Sequence, residues 1–171
     1  MKTSTFALLG LAMTCLFMAN CQSTKKTKDN NIAIADSTGG GADTTLVARI
    51  QADPHYPLHD SISVLFIVSN PTNDTLRFTQ YHTPFEGFFS NFLTITDASG
   101  QEVPYIGAMT RRIMPPPADT YHTLAPGTED SVRFNVTKGY RFEKAGTYTL
   151  LYNSGAISGI LQTKSISIVL D

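Results

Sequence analysis

Two histidines four residues apart, His55 and His59, with Asp53 and Asp60 beside them, have the types and spacing that could hold a metal. A zinc pair at that spacing needs both imidazoles on one face of a helix, and the peptidase version adds a glutamate as general base. Pro57 opposes a helix and the segment holds no Glu, so it reads as a solvated loop between strands. His82 and His122 lie forty residues apart, each followed by Thr, with no cysteine or carboxylate pattern around them. Each reads as a half-buried polar residue or as part of a surface patch. No serine occupies a Gly-x-Ser-x-Gly elbow, and Gly39 to Gly41 precedes no helix that could cradle a phosphate. The expectation is a chain with no catalytic residues, no metal and no cofactor. An enzyme of unrecognised type would need His55, His59 or His122 to converge with carboxylates in a pocket.

Of the two cysteines, Cys21 carries the stronger signal. Lys2 precedes an uncharged run from Phe6 to Met18, the form of a signal-peptide core. That run falls short of the roughly 20 apolar residues that span a bilayer. Met18-Ala19-Asn20-Cys21 resembles a relaxed bacterial lipobox, and Gln22 to Lys26 continues as a polar tether. The rival Cys15 lies inside the apolar run, where cleavage would leave Leu16-Phe17-Met18 at the new N-terminus. The expected processing removes residues 1–20 and acylates Cys21, which leaves no thiol for an internal disulfide. The expected location is the bacterial cell envelope, on the outer membrane facing the periplasm, with the lipid on Cys21 as the membrane contact.

Without Lys2 the chain holds 12 basic and 14 acidic residues, a balance that makes nucleic acid an unfavourable partner. Residues 21–43 then form a polar, glycine-bearing linker. Its reach is about 70 Å when extended and about 25 Å as a flexible coil.

Residues 44–171 carry the short alternating runs of a β domain. In Asp130 to Val136, Val132, Phe134 and Val136 share one face, while Ser131, Arg133 and Asn135 share the other. In Ser61 to Ser69, Ile62, Val64, Phe66 and Val68 share one face and Leu65 and Ile67 make the other apolar too, as a central strand covered on both sides requires. Asn70 to Asp74 is rich in turn formers, so Ser61 to Ser69 and Thr75 to Tyr81 read as a hairpin. Further strands are expected at Leu46 to Gln51, Asn91 to Thr96, Glu102 to Tyr105, Thr147 to Asn153 and Lys164 to Leu170, with a turn at Asp97 to Gly100. Helical periodicity is not sustained anywhere after Met18. The expected fold is all-β, a single immunoglobulin-like antiparallel β-sandwich of about seven or eight strands. Gly146-Thr147-Tyr148-Thr149-Leu150 sharpens it: a tyrosine two residues before the position of the second immunoglobulin cysteine braces a corner, and Leu150 stands in that position.

The most distinctive stretch reads Thr83-Pro84-Phe85-Glu86-Gly87, then Val103-Pro104-Tyr105-Ile106-Gly107, Arg111-Arg112, Pro115-Pro116-Pro117, Tyr121 and Leu124-Ala125-Pro126-Gly127. The order and spacing resemble the non-catalytic, propeptide-like N-terminal region of aspzincin metalloendopeptidases, the deuterolysin and peptidyl-Lys type. Phe85 stands where that pattern has Leu. The resemblance implies an accessory β-sandwich without the catalytic domain, since the His-Glu-x-x-His zinc motif of that family does not occur in this sequence. It also implies a protein partner, with an exported metalloprotease first, and an inhibitory, chaperone-like or localising role.

Read from the residues alone, Glu86 lies between Phe85 and Phe88-Phe89, where an ionised carboxylate needs a partner. Arg111 or Arg112 can supply one through a bidentate contact that pins a crossover loop to the sandwich. The candidate surface comprises Thr83 to Gly87 with Tyr105, Gly107, Arg111, Arg112 and Tyr121. A structural or glycan-associated envelope lipoprotein is the alternative, favoured if aromatic rings are exposed.

Overall fold

Alternation of apolar and polar residues places every second side chain on one face of an extended chain, which is what lets two sheets bury a shared layer. The computed structural model describes residues 45–162 and 164–171, with Gln162 seen through its backbone alone. The expected signal peptide, Cys21, the linker and Thr44 lie outside the described residues. The strands are β1 (Leu46–Ala52), β2 (His55–Tyr56), β3 (Ser63–Ser69), β4 (Leu76–Thr79), β5 (Leu93–Asp97), β6 (Tyr121–Leu124), β7 (Glu129–Asn135), β8 (Gly146–Tyr152), β9 (Ile160–Gln162) and β10 (Ile166–Leu170). One four-residue helix, α1 (Gly155–Ser158), joins β8 to β9.

Two four-stranded sheets form, in the orders β7-β3-β1-β9 and β2-β10-β8-β5, with β4-β6 as a separate pair. Grouping β1, β3 and β7 apart from β5, β8 and β10 reproduces the division of an immunoglobulin sandwich into its A-B-E and C-F-G strands. The all-β sandwich expected from the alternation is therefore the fold. The described residues form ten strands rather than seven or eight, because β2, β6 and β9 are too short to show a period.

Two pairings depart from the antiparallel rule: β1 runs parallel to β9 and β2 parallel to β10. Both arise where the chain steps from one sheet to the other. At Pro54, which has no N–H to continue the β1 ladder, the carbonyl instead accepts from Val169 N at 2.8 Å.

The anticipated hairpin of β3 with β4 does not form. Both edges of β3 are taken, by β1 and β7, so β4 pairs with β6 instead. The Asn70 amide fixes that detour, donating to Asp74 O at 2.8 Å and to Leu124 O at 3.0 Å. Glu102 to Tyr105 likewise makes only two single bridges, to Thr96 and to Tyr140, because Pro104 interrupts any ladder.

Between the sheets, Phe66 of β3 meets Tyr152 of β8 with ring centroids 5.0 Å apart. Tyr148 is buried and its hydroxyl donates to Lys144 O at 2.7 Å, closing the tyrosine corner read from the sequence, with Leu150 fully buried beside it. The outer face of β3 is covered without a second layer. Arg49 lies opposite Ile67 on β1, and its guanidinium reaches over β3 to Glu129 with bonds of 2.6 and 2.8 Å.

Candidate functional site

Thr83 to Gly87 folds into one 3-10 turn whose every residue has a mechanical reason. The Thr83 hydroxyl accepts from Phe85 N at 3.2 Å and donates to Gln80 O at 2.7 Å, while Pro84 presets the first turn. Gly87, at φ 76°, reverses the chain as its N–H donates to Pro84 O. Phe85 drives the turn into the sandwich, packing on Phe78 at 5.4 Å and on the His122 ring at 4.6 Å. The motif is thus a plug beside the core.

Glu86 turns inward and is almost fully buried at 5 % side-chain exposure. Its Oε1 accepts from His82 N at 2.9 Å and from the Ser90 hydroxyl at 3.1 Å. Its Oε2 lies 2.7 Å from Arg112 Nη2. The partner is Arg112, with Arg111 left exposed, and the contact is end-on where a bidentate fork was expected. The other carboxylate oxygen is already occupied, which leaves no edge for a fork. The Nη2 contact is an ion pair off the line of a hydrogen bond, and the buried Nε has no acceptor. Aromatic faces compensate, with the guanidinium carbon 4.9 Å from the Tyr81 ring centroid and 5.7 Å from that of Phe89.

Arg112 belongs to the long crossover between β5 and β6, whose stretch from Ile106 to Thr110 is fastened to its neighbours. Ile106 N donates to Gly139 O, Ala108 N to Phe88 O, and Thr110 N to Phe89 O, all at 2.8 to 3.0 Å. Tyr105 stacks edge-on against Tyr140 and folds its ring over Gly107, where a β-carbon would collide with the Tyr105 hydroxyl. That hydroxyl donates to Ala108 O at 2.9 Å. Gly139 is required for the same reason, since Phe88 lies against its α-carbon. Tyr121, by contrast, sits on β6 beneath Arg77, whose guanidinium carbon is 4.7 Å from the ring. The structure therefore unites Thr83 to Gly87 with Arg112 and fastens Tyr105 and Gly107 nearby, but assigns Tyr121 to a separate surface contact.

What this frame holds outward is apolar. Met109, Ile113 and Met114 are 76, 71 and 65 % exposed, and Phe89 and Ile106 are about half exposed beside them. No acidic residue occurs between Glu102 and Asp119, so the loop is both apolar and basic. No family model matches the chain, and no curated protein matches it.

Met109, Ile113 and Met114 lie in the distinctive segment but outside the motif residues singled out from the sequence. Their signal was available: apolar residues with neither strand nor helix period, next to prolines, have no core to enter. Of the histidines, His59 lies in a tight turn at φ 77° and His55 on β2, while His122 Nδ1 lies 2.9 Å from Asp130 Oδ2. Among the described residues no three His, Cys, Asp or Glu side chains gather as a metal site would require.

Proposed function

We propose that this chain is a non-enzymatic, lipid-anchored envelope protein whose β-sandwich binds another protein through the crossover loop. One observation carries the reading: Met109, Ile113 and Met114 are presented to solvent on a loop whose backbone and buried ion pair hold it fixed. A fixed apolar loop loses little entropy on docking, and methionine adapts to varied partner surfaces. Aliphatic and thioether side chains suit a protein better than a sugar, which stacks on flat rings; only Phe89 is aromatic among these five.

The resemblance of the Thr83 to Gly127 stretch to an aspzincin accessory region makes an exported protease the first partner to test. Inhibition, folding assistance and localisation are the roles to distinguish. The lipid on Cys21 would confine the loop to the periplasmic side of the outer membrane. The test compares wild type with a variant carrying Met109→Glu and Ile113→Glu as baits in envelope extracts. Specific partners should be captured by the first and lost from the second. Equal recovery by both baits overturns the proposal.

A further inference from the structure

The crossover loop forms one wall of a cleft at the end of the sandwich. Ile106 supplies that wall, and Ile62, Tyr140, Phe142 and Leu170 form an apolar interior. Backbone bonds from Ile106 N to Gly139 O and from Arg141 N to Pro104 O hold the wall in place. The cleft encloses about 220 Å³, below the roughly 300–1,000 Å³ of pockets for drug-sized ligands and suited to a single side chain.

Its rim is charged unevenly. The exposed Arg141 makes no ion pair and no side-chain hydrogen bond among the described residues. Arg141 also lines a second hollow together with Asp97, Glu102, Glu143 and Lys144, and none of these carboxylates pairs with it. His59 and Asp60 also line the cleft, from the turn where Asp60 N bonds Pro57 O.

We infer that this cleft binds an apolar side chain that carries a carboxylate beside it, the chemistry of the C-terminal residue of a partner chain. The apolar interior takes the side chain and the unpaired guanidinium takes the carboxylate, as a forked donor does well. Asp60 repels an anion near it, so the carboxylate is directed to Arg141. This rests on the reading of the neighbouring loop as a protein-docking surface, for which the cleft is the anchor pocket, since binding energy concentrates where one residue fills a hole.

The probe is N-acetyl-leucine, titrated into the full chain and followed by methyl NMR at Ile62, Ile106 and Leu170. Saturable shifts at these methyls in the millimolar range are expected, with N-acetyl-leucinamide about fivefold weaker or worse. Arg141→Gln should erase the difference between acid and amide. Absence of shifts at about 20 mM, equal affinity for acid and amide, or indifference to Arg141→Gln would each overturn the inference. Hexanoate separates a peptide terminus from a fatty acid, and tighter binding of hexanoate than of N-acetyl-leucine overturns the peptide assignment. If N-acetyl-leucine fails while Ile113→Glu still abolishes protein capture, only the anchor pocket is lost. If it binds while no partner is captured, the pocket stands and the docking reading falls.

Discussion

The Glu86 carboxylate and the Arg112 guanidinium meet at 2.7 Å, tying the capped turn beside the core to the interior of the crossover loop. Side-chain exposures of 5 % for Glu86 and 15 % for Arg112 put the pair where a broken partnership is costly. Glu86→Gln should therefore lower stability by about 3 kcal/mol in urea unfolding, because it leaves a buried cation uncompensated. Adding Arg112→Met to Glu86→Gln should recover most of that loss. The amide oxygen introduced at position 86 still accepts from His82, and no orphaned charge remains. A double variant no more stable than Glu86→Gln alone would deny the pair its role.

Gly107→Ala should destabilise by about 1–2 kcal/mol and expose the crossover loop to proteolysis. The new methyl displaces the Tyr105 ring, which then surrenders its bond to Ala108 O. Gly139→Ala should act through Phe88 in the same way. Limited proteolysis with the cut sites mapped checks both, and cutting outside residues 104–117 in Gly107→Ala would contradict the mechanism.

The sandwich is legible because β1, β7, β8 and β10 alternate, β3 is apolar on both faces, and Tyr148 marks its own corner. What alternation cannot report is which strands become neighbours. The β3–β4 hairpin fails because β1 and β7, distant in sequence, occupy both edges of β3. The Glu86 partner was readable from the cost of burying a charge, yet the end-on geometry depends on His82 N and the Ser90 hydroxyl, which no spacing rule reveals. The exposed Met109 and Met114 are not legible in the same way, because a single apolar residue in the sequence carries no mark of whether it enters a core or faces water.

Met109→Glu and Ile113→Glu should leave unfolding free energy within about 0.5 kcal/mol of wild type, since both side chains stand in water. Partner capture should nevertheless drop sharply. Equilibrium unfolding run beside the capture assay separates docking from folding, and a large stability loss would show that the loop is packed rather than presented.

Alkaline titration should expose two buried hydroxyls. Burial raises Tyr140 and Tyr152 well above the ordinary tyrosine value of 10.0. The folded state holds these protons more tightly than the unfolded chain, so their contribution is complete below pH 10 and declines as pH rises from there towards the folded values. The slope is up to about 1.4 kcal/mol per pH unit for each group. Tyr140→Phe should flatten part of this decline and cost about 1–3 kcal/mol at neutral pH, because Leu93 N loses the hydroxyl that accepts from it. Urea midpoints at pH 7, 9 and 11 for both proteins provide the measurement.

The parallel pairs β1–β9 and β2–β10 join the first two strands of the described residues to the last two, one pair in each sheet. Neither sheet can acquire all its strands until residues 160–170 have left the machinery that makes or moves the chain. Closure is consequently a late, long-range event, slow for a domain of this size, and β1 waits with an unsatisfied edge until β9 arrives. A chain stalled just short of Ile160 should thus be a sticky one, vulnerable to pairing with its neighbours in a way the finished domain is not.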